Sequence, residues 1–108
     1  MIDDKKIKVS EAIQYLVDTD DAYGQMKGLV KGLEYRIKVC KAMEFLKADG
    51  SAAEREQKAT ASQAYKDLVK EYQDAVTDFE TVAARRETRI LTVEVWRSQN
   101  ANKRVGNI

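Results

Sequence analysis

The sequence predicts an all-α fold, a long antiparallel helical hairpin with two long arms at about 10–48 and 62–102. Three observations carry this. There is no proline in 108 residues, so nothing forces a kink. Charged residues make up 34% and aromatics only 7%, the balance of long solvated helices. Apolar residues return every three or four positions over two stretches much longer than a solitary globular helix. In the second stretch these are Tyr65, Leu68, Tyr72, Val76, Phe79, Ala83, Ile90 and Val93.

Residues 1–8 are short and charged, and fraying is expected there. Ser10 is the expected N-cap of the first helix, with Glu11 in the first turn facing the positive end of the helix dipole. At 100° per residue, Ile13, Leu16, Tyr23, Met26, Val30, Leu33 and Ile37 share one stripe. A helix of this length reaches ~57 Å. Gly24, Gly28 and Gly32 fall nearly opposite that stripe, each costing about 0.5–1 kcal/mol relative to alanine in a helix interior. Tyr35, Val39 and Leu46 continue the same back face. The first helix is therefore apolar on two sides. Gly24, Gly28, Gly32, Tyr35, Val39 and Leu46 form the expected oligomer interface, with the glycines permitting close approach, or else the glycines are merely tolerated.

The run Lys47-Ala48-Asp49-Gly50-Ser51-Ala52-Ala53-Glu54 is the clearest local signal. Gly50 is placed to end the helix in the left-handed conformation, and Ser51 with Glu54 forms a capping box for a short helix at about 52–59. Thr60 and Gln63 repeat the box, which predicts a second break near 60–62. The last helix then returns alongside the first, residue i lying opposite about 110 minus i. It is expected to stop near Asn102, leaving 103–108 loose, and the whole chain is read as a single helical domain. A two-helix hairpin of this size buries little apolar surface per residue, which points to a homo-oligomer, most simply a dimer.

The charges admit structural and functional readings. The 110 rule puts Asp18, Asp20 and Asp21 near Arg86 and Arg89, as salt bridges that set register. A metal site at the aspartates is the weaker reading: neighbours on a helix diverge, and there is no histidine. Lys27, Lys31, Lys38 and Lys41 line one side of the first helix. Asp67, Glu71, Asp74 and Asp78 line the last and are expected to face outward, as a solvated face or as the complement of a basic partner. Lys5, Lys6, Lys8, Arg97, Lys103 and Arg104 gather at the end where the termini meet, opposed by Asp3 and Asp4. Trp96 lies at that end, off the main core stripe by angle. An aromatic among cations is what a single-strand nucleic-acid site uses, through stacking and phosphate neutralisation; the alternative for Trp96 is a subunit interface.

A formal net charge of +1 gives no global field to attract nucleic acid, so such a site must be local. Cys40 is the lone cysteine, expected as a buried inert thiol in a reducing compartment. The segment MIDDKKIKVS has no apolar core of a signal peptide, and no run approaches the ~20 apolar residues of a membrane span. The expectation is a cytoplasmic protein without membrane contact. Without a phosphate loop, a nucleophile motif or an enclosed pocket, the chain reads as no enzyme, with no cofactor, metal or small-molecule substrate.

The segments EVWRSQNANKR and GSAAEREQKATASQAY resemble a type of small helical protein encoded by bacteriophages near recombination or replication functions. In size and helical character the chain is more loosely similar to the UvsY-like recombination mediators, oligomers that bind single-stranded DNA and help load a recombinase. The resemblance implies a non-enzymatic accessory of DNA recombination or replication in the host cytoplasm. It would bind single-stranded DNA or a recombination partner. The alternative is a protein–protein interaction module, such as an inhibitor of a host defence system, or a virion assembly helper.

Overall fold

A computed structural model describes residues 8–106. Three helices follow one another: α1 (Val9–Lys47), α2 (Ala52–Ala61) and α3 (Gln63–Gly106), with no strand among the described residues. The two long helices form the expected antiparallel hairpin.

Its local signals sit close to where the residues put them. Gly50 has φ +116°, and Ser51 Oγ accepts the Glu54 backbone N–H at 3.2 Å. The left-handed turn therefore closes α1, and the serine opens α2. The second break falls at Ser62. Its hydroxyl donates to the Ala59 carbonyl at 2.7 Å and accepts the Tyr65 N–H at 3.3 Å, so one serine both ends α2 and starts α3. Thr60 does not form the expected box; its hydroxyl donates to the carbonyls of Glu56 and Gln57. Ser10 is likewise no cap, because α1 begins at Val9 and the Ala12 N–H already bonds the Lys8 carbonyl. At the other end α3 continues through Asn102 to Gly106, so Lys103 and Arg104 are helical rather than loose.

One row on each long helix follows a three–four alternation. In α1 it runs Val9, Ala12, Leu16, Thr19, Tyr23, Met26, Val30, Leu33, Ile37, Cys40, Glu44, with Tyr15, Lys41 and Phe45 half-covered beside it. In α3 it runs Tyr65, Leu68, Tyr72, Ala75, Phe79, Val82, Arg86, Arg89, Val93, with Val69, Val76, Ala83 and Thr92 half-covered beside it. This is the 3.5-residue spacing of a coiled-coil seam. A 3.6-residue stripe drifts off it, which is why Ile13 and Ile90 are 47% and 44% exposed while Ala12 and Arg89 take the inward places. Cys40 is half-buried on this row rather than fully covered.

By compactness the chain divides into Met1–Tyr23 with Glu80–Ile108, and Gly24–Phe79. In the first unit Arg86 and Arg89 of α3 reach Thr19, Asp20 and Tyr15 of α1. In the second, Tyr72 of α3 reaches Glu34 of α1, and Leu33 is the one large side chain below 2% exposure. Arg86 with Asp20 is one of the expected ion pairs, but the contacts lie four to six residues short of the 110 rule. Arg86 meets 19 and 20 where the rule placed 24, Arg89 meets 15 where it placed 21, and Tyr72 meets 34 where it placed 38. The cause lies in α2, which already runs back along α1. Arg55 Nε donates to the Phe45 carbonyl at 3.2 Å, Lys41 pairs with Glu56 at 3.0 Å, and Lys58 bonds the Asp49 carbonyl. The chain reverses at Gly50 and not midway along the connector.

Candidate nucleic-acid interface

The site grows out of the last five turns of α3, within the unit that also holds the start of α1. Up to Val93 the inward row of α3 carries side chains that cover α1. The next three places on the same alternation are Trp96, Asn100 and Lys103. The Arg89–Tyr15 contact sets Trp96 level with the first turn of α1, so from Arg97 to Gly106 the helix passes the first described residues of its neighbour. Beyond Val93 this row carries Trp96, Asn100 and Lys103 and no aliphatic side chain. Trp96 is 49% exposed. Asn100 Nδ2 donates to the Trp96 carbonyl at 2.9 Å and holds this turn.

Arg97 and Arg104 lie seven residues apart, one step round from Trp96 and Lys103, and all three cations are exposed. Lys8, just before α1, is exposed as well. Of the expected nucleic-acid set, Lys8, Trp96, Arg97, Lys103 and Arg104 therefore share one end of this unit, while Lys5 and Lys6 lie outside the described residues. Lys103 and Arg104 also stand in the last turn of α3, where their charge offsets the negative end of the helix dipole. The arrangement offers a ring for stacking and a row of cations for phosphates, without an enclosed cavity.

Further along the same unit the arginines are inward and occupied. Arg86 Nη1 donates to the Leu16 carbonyl at 2.9 Å and to Thr19 Oγ1 at 2.6 Å, Nη2 donates to Asp20 at 2.7 Å, and the guanidinium lies 4.9 Å from the Tyr23 ring centre. Its side chain is 15% exposed. The expected ion pair with the aspartates holds for Asp20 alone. Asp18 accepts the Gln14 side-chain amide at 2.8 Å, and Arg89 stacks on Tyr15 at 4.3 Å. With Arg55 over Phe45 at 4.4 Å in the other unit, three arginine–aromatic contacts escaped the sequence reading. For Arg86 and Arg89 the available signal was an arginine on the three–four row. Among the described residues no three His, Cys, Asp or Glu side chains come together to hold a metal.

The expected interface residues sit on an uncovered face of α1. Tyr35 and Leu46 are 70% and 74% exposed, and a Cβ placed on Gly24, Gly28 or Gly32 meets nothing within 4 Å. No helix of this chain approaches the glycines closely. Asp67, Glu71, Asp74 and Asp78 all face outward on α3. No described helix is long and apolar enough to cross a membrane. Compared with protein-family models, curated proteins and solved structures, the chain matches none.

Proposed function

We propose that this chain is a non-enzymatic accessory protein of DNA recombination or replication that binds single-stranded nucleic acid at its basic end. The observation that supports it is the end of one helical row: after Arg86 and Arg89, both occupied against α1, and half-buried Val93 come half-exposed Trp96, then Asn100 and Lys103, with exposed Arg97 and Arg104 beside them. Bases stack on the tryptophan without regard to sequence, and the cations neutralise consecutive phosphates. The balanced net charge keeps this binding local to one end.

Fluorescence anisotropy with a short single-stranded oligonucleotide tests it. Affinity falls with salt, and each phosphate contact adds about 0.7 to the log–log slope. Trp96→Ala weakens binding by ~1–3 kcal/mol while the helical circular dichroism stays. Lys103→Ala with Arg104→Ala flattens the slope by about 1.4, two contacts' worth. Absence of binding at low salt removes the proposal.

A second reading has its own observation. The uncovered face around Tyr35, Val39 and Leu46 suits docking to another protein, as in a host-defence inhibitor or a virion assembly helper. Substitutions on that face which abolish capture of a host protein, and leave oligonucleotide binding intact, favour it.

A further inference from the structure

We propose that α1 is the dimerisation element, packing antiparallel against α1 of a second copy about a two-fold axis at Gly28. The helix runs from Val9 to Lys47, so Gly28 is its midpoint, with Gly24 and Gly32 one turn to either side. These glycines face open space, and nothing in the chain needs the missing Cβ atoms. A two-fold axis at Gly28 sets Gly24 of one copy against Gly32 of the other, which lets the two backbones come close.

Charge selects the second copy as the occupant. Away from the seam with α3, the first half of α1 exposes Glu11, Asp18 and Asp21 against one cation, Lys27. The second half exposes Lys31, Arg36 and Lys38 against one acid, Glu34, which accepts the Tyr72 hydroxyl. None of these three cations has a salt bridge among the described residues. Antiparallel alignment puts each acidic half on the basic half of the other copy: Asp18 and Arg36 share one flank of the Gly28 face and come level across the axis, with Val17 against Val39. A parallel alignment puts acid on acid and base on base. An isologous contact of this kind repeats every favourable pair twice. Val17 and Tyr35, 62% and 70% exposed, are covered in it.

Sedimentation equilibrium on the full chain tests the pairing by charge exchange. The unaltered chain is a dimer whose dissociation constant rises with salt. Asp18→Lys alone and Arg36→Asp alone each raise that constant by about tenfold, since each turns two symmetric attractions into repulsions. The double variant restores it to within about twofold. Gly28→Leu gives a monomer with its helical circular dichroism unchanged. A monomeric unaltered chain overturns the inference, as does a charge exchange that fails to rescue or a Gly28→Leu chain that still dimerises. None of these outcomes bears on oligonucleotide binding at Trp96, so the two proposals fail separately.

Discussion

The two units hold α1 against α3 by different means. Around Leu33 the contact is apolar, with a leucine 1% exposed and Ala75 8% exposed on the rows. Around Arg86 it is polar, with one guanidinium spending its donors on a carbonyl, a hydroxyl and a carboxylate while lying against a tyrosine ring. An apolar row tolerates sliding by a heptad because one aliphatic place resembles the next. A forked donor with three separate acceptors does not. Leu33 therefore supplies stability, and Arg86 supplies register.

Substitutions separate these roles. The largest effect is at Leu33, where Leu33→Ala removes a covered side chain and costs about 2–5 kcal/mol in chemical denaturation. Arg86→Ala comes next, at about 1–3 kcal/mol, because it strips charged hydrogen bonds and an aromatic contact at once. Asp20→Ala costs less than about 1 kcal/mol, since the carboxylate is 62% exposed and its pair is screened. Equal losses at Arg86 and Asp20 would mean that the ion pair, rather than the whole fork, does the holding.

Gly50 sharpens the comparison from outside both contacts. Gly50→Ala puts a Cβ at φ +116° and 2.9 Å from Glu54 Oε2. The loss is about 1 kcal/mol, mostly from the backbone, since the carboxylate end can swing away. It lowers the thermal midpoint without altering oligonucleotide affinity.

The smallest effect is at the polar contact beside Leu33. Tyr72 donates its hydroxyl to Glu34 at 3.1 Å. That hydrogen bond, then burial, then the Glu34 charge raise the phenol above its ordinary value of 10.0. The folded chain thus favours the neutral phenol. Its contribution is complete below pH 10 and fades as pH rises through the raised value. A spectroscopic titration at alkaline pH shows one tyrosine ionising late, and Tyr72→Phe or Glu34→Gln removes that delay.

The parts legible in the sequence were those set by neighbours along the chain. Gly50 and Ser51 carry their conformations locally, and the break before α3 falls where serine and threonine gather. Register was legible only to within a few residues, because it depends on where the chain physically turns. The fold-back of α2 onto Phe45 and Asp49 decides that through contacts between separate segments. Arg86 and Arg89 were read as register-setting salt-bridge partners of the aspartates, which holds for Arg86 with Asp20, while Arg89 stacks on Tyr15. Their inward places follow from a 3.5-residue row that a 3.6-residue wheel blurs. Of the basic end, composition revealed the cations and Trp96. The structure adds that Asn100 and Lys103 continue Val93's row, and that α3 stays helical to Gly106.

The central claim is that Trp96 stacks on a single strand among the cations of α3. Trp96 is the sole tryptophan of the chain, so its own fluorescence reports on that contact. The decisive measurement is a titration of this fluorescence with an unlabelled single-stranded oligonucleotide over a series of salt concentrations. Saturable quenching is expected, its affinity falling with salt at a log–log slope of about 2–3 from Lys8, Arg97, Lys103 and Arg104. Binding that leaves the tryptophan signal unchanged, or no binding at the lowest salt, contradicts it.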